Sequence, residues 1–152
     1  MSPAVIRQAR RADVAAIVAM LADDHLGAGR ELVGDPPAPG YLAAFDAIAS
    51  DCNHLLAVVD LEGEVVGCLQ LSFLPGLSRQ GAWRGLIEGV RIAAPVRNRG
   101  LGRELVSWAV ERCRERGCAM VQLTTDKSRV DAQRFYTGLG FEATHRGMKL
   151  TL

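Results

Sequence analysis

Apolar residues recur at Val14, Ile17, Val18 and Leu21, with His25 on the same face. This spacing predicts one amphipathic helix over about residues 11–26. Asp13 falls in its first turn, where a negative charge suits the helix dipole. Residues 27–40 interrupt the pattern with four glycines and three prolines (Pro36, Pro37, Pro39), which predicts a long loop. A weaker helix follows over about 41–50. The runs 55–61 and 64–73 read as strands joined by a hairpin turn at Glu62-Gly63, with Pro75 and Gly76 closing the second. A strand over 83–92 places Leu86, Glu88, Val90 and Ile92 on one face and Ile87, Gly89 and Arg91 on the other. A first strand is expected at Val5 to Arg7.

The second half is more sharply patterned. Leu105, Ala109, Val110 and Cys113 form the apolar stripe of a helix over 102–116. Arg103, Glu104, Glu111, Arg112, Arg114 and Glu115 face water, and Gly117 stands at the C-cap position. Residues 118–124 are short and largely apolar, as in a strand from the middle of a sheet. Ser128 and Asp131 have capping-box spacing. The helix they open carries Ala132, Phe135 and Leu139 and ends at Gly138-Leu139-Gly140. Residues 141–150 read as a final strand. The pattern predicts a single mixed α/β domain over 1–152, without internal repeats.

Composition narrows the chemistry. Hydrophobic residues make up 49% of the 152, and the net charge is +1, which argues against a nucleic-acid binder. No apolar run approaches the ~18 residues of a membrane span, and the first residues lack a signal-peptide core. A cytoplasmic setting is the expectation. Cys52, Cys68, Cys113 and Cys118 form no C-x-x-C pair, and His25, His54 and His145 are scattered, so no metal site is expected.

The sharpest feature is Arg97-Asn98-Arg99-Gly100-Leu101-Gly102, between the strand ending at Ile92 and the amphipathic helix. A helix N-terminus offers free N–H groups and partial positive charge. Two glycines admit a bulky anion, and Arg97, Arg99 and Arg103 add charge, which makes a phosphate-binding turn. A glycine-rich connector with incidental arginines is the other reading. No Lys follows Gly102, which excludes a P-loop, and Leu105 stands where a dinucleotide fingerprint needs its third glycine.

In this context the chain resembles the GNAT superfamily of acetyl-coenzyme A-dependent N-acetyltransferases. Arg97-x-x-Gly100-x-Gly102 matches the pyrophosphate turn, and Ala132-x-x-Phe135-Tyr136 followed by Gly140-Phe141 matches the C-terminal signature. Ile6-Arg7-x-Ala9 and Asp13 match the first strand and helix. The resemblance implies a mostly antiparallel sheet splayed between its fourth and fifth strands, with about four flanking helices and acetyl-coenzyme A in the gap. Main-chain groups of Val90, Arg91 and Ile92 would meet the pantetheine arm. The N–H groups of Arg97, Asn98, Arg99, Gly100, Leu101, Gly102 and Arg103 would meet the diphosphate. Arg129 stands where many relatives have Asn, and with Arg134 is a secondary contact to the cofactor.

The resemblance also implies Tyr136 as the general acid for the departing thiolate; a core aromatic beside Phe135 is the alternative. Glu88 is the base candidate, charged among apolar face-mates and so expected to hold its proton more tightly than usual. Pairing with Arg84 at a strand edge is the other reading. Asp23, Asp24, Glu31 and Asp35, with only Arg30 against them, mark an acidic region that would attract an amine. Tyr41 and Trp83 would line or merely pack beside it. The function implied is acetyl transfer from acetyl-coenzyme A to the primary amine of a small molecule or peptide. Transfer of another acyl group, or a non-catalytic acyl-coenzyme A sensor, are the alternatives. Neither nucleic acid nor membrane is expected as a partner, and family analogy suggests a homodimer through strand edges.

Overall fold

The computed structural model describes residues 2–152, in two compact units, the first ending at Gln122 and the second spanning Leu123–Leu152. The first unit begins with β1 (Val5–Gln8), a 3-10 turn at Arg11–Asp13, α1 (Val14–Ala22) and α2 (Pro39–Ala49). It continues through β2 (His54–Leu61), β3 (Glu64–Pro75), a short helical turn α3 (Ser78–Gly81) and β4 (Trp83–Ile92). It ends with α4 (Leu101–Glu115) and β5 (Met120–Leu123), the last residue of which opens the second unit. The sheet order is β1-β2-β3-β4-β5, antiparallel through β4, with β5 parallel to β4 after the α4 crossover. The mixed α/β class is as expected.

Cross-strand partners share a face, so the register sorts the core. Val58 and Cys68 point to one side and pack with Ala9, Ile17 and Met20, where α1 lies. Leu69, Leu71 and Ile87 point to the other, which α4 covers with Leu105, Val106, Ala109 and Cys113. Burial pushes the thiols of Cys68 and Cys113 up to about 12, so both are poor nucleophiles.

The expected helix over 11–26 breaks after Ala22. Asp24 Oδ1 accepts the N–H groups of Leu26 (3.0 Å) and Gly27 (2.6 Å), a local turn that competes with further helix. At the other end Asp13 is buried and accepts from Arg10 N (2.7 Å), Arg7 Nη1 (2.8 Å) and Arg7 Nη2 (3.1 Å). The Arg7 guanidinium holds this carboxyl below its ordinary pKa. Its stabilisation is therefore present above the ordinary carboxylate range and is lost as pH falls through the lower folded value. Asp13→Asn is expected to cost about 2 kcal/mol at neutral pH. Urea unfolding of both proteins should show that deficit shrinking below about pH 4.

The second unit holds α5 (Val130–Gly138) and an extended tail. The capping box is not formed. Arg129 is the N-cap, and Ser128 instead gives its N–H (2.9 Å) and hydroxyl (2.7 Å) to Asp126 Oδ1. Residues 141–150, expected as a strand, carry no strand assignment, and the expected 118–124 strand is confined to Met120–Leu123 at the sheet's edge rather than its middle.

Candidate active site

Two backbone devices at the end of β4 define the site. The first is a bulge. Cys68 opposes Arg91 and Gln70 opposes Glu88, so two residues of β4, Gly89 and Val90, stand against Leu69 alone. Gly89 takes φ +62°, a left-handed conformation that glycine adopts without strain. The extra residue reverses the alternation beyond it. Arg91 therefore joins Glu88 on the α1 side, and Ile92 joins Ile87 on the α4 side. The simple two-residue period had placed Val90 and Ile92 with Glu88, and the bulge corrects that assignment. Glu88 itself is exposed, so the apolar enclosure expected around it is not present.

The second device is the turn into α4. A 3-10 turn, Ala94–Val96, is pinned by buried Val96. Asn98 takes φ +64°, and Gly100, the N-cap, takes φ +85°. Glu104 N bonds Gly100 O at 3.1 Å, the first hydrogen bond of the helix. The N–H groups of Leu101, Gly102 and Arg103 precede it and have no acceptor within the helix. Gly100, as the N-cap, has no side chain to cap them. Arg99 and Arg103 are exposed beside them, and Leu101 is buried, which fixes the axis of α4. Uncapped amides at the positive end of a fifteen-residue helix suit an anion with several oxygens.

Side chains tie these devices to the loop after α1. Arg91 Nη1 donates to Val90 O (2.8 Å), and its Nη2 lies 3.2 Å from Asp24 Oδ2, both side chains being largely buried. Arg97 Nε donates to Ile92 O (3.0 Å), while its Nη2 reaches Asp23 Oδ2 at 3.5 Å. Arg97 is thus engaged with its own strand rather than reaching forward. Cys68 Sγ donates to Gly89 O at 3.5 Å, inside the bulge. Tyr41 OH donates to Glu31 Oε1 (3.1 Å) and accepts from Leu32 N (2.8 Å). Asp23, Asp24 and Glu31 are therefore bonded into the loop's framework. The pattern of charges along the chain did not reveal the Asp23–Arg97 and Asp24–Arg91 pairs, because the bulge decides which side Arg91 faces.

In the second unit the ring of Tyr136 meets Phe135 edge-on at 5.1 Å and Phe141 at 5.8 Å. Phe141 N donates to Tyr136 O at 3.1 Å. The two aromatics fix the ring's plane, and Tyr136 is half-buried. Arg129 is half-buried at the N-cap, and Arg134 is exposed on the helix. A cavity of about 320 Å³ lies elsewhere, at the C-terminal end of α4, lined by His54, Phe73, Arg112 and Arg116 among others. Among the described residues, no cluster of His, Cys, Asp and Glu is placed to hold a metal ion, and no helix is long and apolar enough to cross a membrane.

A mixed sheet with a bulged fourth strand feeding a glycine turn and a helix N-terminus is an anion-binding scaffold. The chain belongs to the acetyltransferase (GNAT) family, whose profile matches residues 14–141. Aminoalkylphosphonate N-acetyltransferase of Salmonella typhimurium is 35% identical over 83 residues, 55% of this chain and 53% of that protein. Glucosamine 6-phosphate N-acetyltransferase of Trypanosoma brucei brucei is 36% identical over 90 residues, 59% of each. The chain thus matches little more than half the length of these relatives. A crystal structure from Bacillus halodurans C-125, described as a transcriptional regulator, is 48% identical with a TM-score of 0.96. The match covers 99% of this chain and 100% of that one.

Proposed function

We propose that the protein is an N-acetyltransferase that passes the acetyl group of acetyl-coenzyme A to a primary amine. The observation that carries this reading is the uncapped N-terminus of α4 behind a left-handed glycine, directly after a bulged strand. The amides from Arg97 to Arg103 hold the diphosphate, and main-chain groups of Val90, Arg91 and Ile92 meet the pantetheine arm. Arg129 and Arg134 serve as secondary cofactor contacts. The amine attacks the thioester carbonyl, a tetrahedral oxyanion forms, and the C–S bond breaks to release the thiolate. Tyr136 gives that thiolate a proton. Glu88, exposed on β4, accepts the proton of the incoming amine through water.

A small amine is the acceptor this reading favours, since the two relatives described above are named for small amines that also bear a phosphorus oxyanion. With three of the loop's four acidic side chains already bonded, the loop is a weaker attractor for cations than its charge count suggests. A cytoplasmic setting is supported by four free cysteines.

The second reading, an acyl-coenzyme A-responsive module without turnover, is favoured by the Bacillus halodurans protein's description as a regulator. Calorimetry with coenzyme A and acetyl-coenzyme A tests the shared premise, and binding heat is expected for both. Thiol release over a panel of aminophosphonates, amino-sugar phosphates, aminoglycosides, polyamines and basic peptides then separates the readings. Turnover with one amine class is expected. Tight binding with no turnover on any amine would favour the sensor, and no binding heat would sink both.

A further inference from the structure

The last turn of α4 closes on two cysteines. Gly117, at φ +75°, follows the C-cap Arg116. Gly117 N donates to Arg114 O (3.0 Å), and Cys118 N donates to Cys113 O (2.9 Å). This pair of bonds is a Schellman closure, which brings the side chains of residues 113 and 118 together. Such a pair is usually apolar; here both members are thiols. The 2.9 Å bond keeps the two Cα atoms no more than about 6.8 Å apart, within the span of a disulfide. The corner is anchored on both sides. Arg116 donates to Cys52 O (2.9 Å) and Asn53 Oδ1 (2.8 Å) and lies over the ring of Phe73, while Ala119 N donates to Trp83 O (2.8 Å). Cys113 Sγ fills the space a side chain at Gly85 would need, so the sulfur itself is fixed. Burial raises the Cys113 thiol, and the Cys118 thiol beside it adds to the effect. Cys113 is buried, whereas Cys118 is half-buried and open to a small reagent.

We infer that Cys113 and Cys118 form a reversible redox site, which closes to an intramolecular disulfide when a hydroperoxide such as hydrogen peroxide reaches Cys118. The Cys118 thiolate attacks one peroxide oxygen and the O–O bond breaks. The hydroxide that leaves takes up the proton of the thiol and becomes water. The resulting sulfenic acid is attacked by the Cys113 sulfur. The S–S bond forms, the S–O bond breaks, and the departing hydroxide takes the Cys113 proton as a second water. Two thiols give up two electrons, and the peroxide accepts them. Cys113 is a poor nucleophile toward outside reagents, but a partner sulfur held against it needs no encounter. Cys68, the other buried thiol, faces Gly89 O instead. A bond made only under oxidising conditions suits a chain whose four thiols are otherwise free. The site lies at the opposite end of α4 from the glycine turn and requires nothing of the proposed donor.

The test uses the full chain, reduced and then treated with hydrogen peroxide. Trypsin cuts after Arg112, Arg114 and Arg116, so mass spectrometry without reduction should find residues 113–114 linked to residues 117–127. Exposed Cys52 would confuse a thiol count, so that count uses Cys52→Ser. Its free thiols should fall from three to one, with a mass loss of about 2 Da, and a dithiol reductant should restore all three. The bridge should also raise the melting temperature by roughly 5 °C, since it closes a short loop in the unfolded chain. Cys113→Ala should stop Cys118 at the sulfenic acid, which dimedone captures. If that variant fails to fold, the peptide map of the unaltered protein still decides. A Cys118 that stays reduced or passes on to sulfinic acid with Cys113 still free would overturn the inference. So would a bridge that runs to Cys52 instead, or a melting temperature that falls on oxidation, since the bond would then distort the corner that is meant to accommodate it.

Discussion

Gly100→Val is expected to weaken coenzyme A binding at least 100-fold while leaving the protein folded. Gly100 is the N-cap of α4 at φ +85°. A β-branched residue avoids that region, at a cost of roughly 1–2 kcal/mol. The turn relieves the strain by rotating the peptide planes on either side, and the amides of Leu101 and Gly102 then no longer converge. A hydrogen bond to a charged oxygen contributes about 1.5–3 kcal/mol, so losing two costs about 3–6 kcal/mol. At 1.4 kcal/mol per factor of ten, that is at least two orders of magnitude in Kd. The core under α4 is anchored by Leu101, Leu105 and Ala109, not by the turn, so the melting temperature should move by only a few degrees. Titration calorimetry beside a thermal melt checks both halves. Wild-type affinity in this variant would mean that the diphosphate sits elsewhere.

Tyr136→Phe is expected to lower kcat by about 10–100-fold with the KM for acetyl-coenzyme A unchanged. General-acid catalysis contributes about 10²–10⁴-fold. The effect here falls at or below the low end of that range, because a thiol of pKa about 8.5 already leaves tolerably as its anion. Phenylalanine keeps both edge-on contacts, with Phe135 and Phe141, so the ring stays where it is and only the hydroxyl is lost. Steady-state kinetics on the acceptor found in the amine panel, with a coenzyme A titration as control, separates chemistry from binding. An unchanged kcat would show that the thiolate departs without help from this residue.

Much of the scaffold is legible in the chain. Apolar runs bounded by turn residues mark β2 and β3, which are buried on both faces, and the periods of 2 and 3.6 mark β4, α1 and α4, all to within a few residues. What the periods miss is anything that changes parity or competes locally. The bulge at Gly89 and Val90 adds one residue and so reverses the sides of Arg91 and Ile92. An alternation carried straight through β4 cannot show this. Asp24 ends α1 early, and Asp126 takes the hydroxyl of Ser128, because short polar side chains bond nearby backbone more readily than a pattern of apolar residues reveals. The expected enclosure of Glu88 failed for a related reason. Shared parity places a side chain on a face but does not show whether anything covers it.

The glycine turn was visible from Gly100, Gly102 and the arginines, and its backbone has the form those residues suggest. The role of Arg97 was not. Its Nε is bonded to Ile92 O, and its reach to Asp23 crosses 74 residues of chain.

The paired staples Asp23–Arg97 and Asp24–Arg91 divide the molecule's design into a fixed half and a variable one. They clamp the root of the loop to the strand and turn at one end, while Pro39 starts a new helix at the other. Lengthening a loop whose ends are already held adds little entropic cost. Insertions and substitutions between residues 28 and 38 can therefore accumulate without disturbing β4 or the start of α4. If the turn takes the diphosphate as proposed, a lineage built on this plan can vary this loop while the contacts to the donor stay constant.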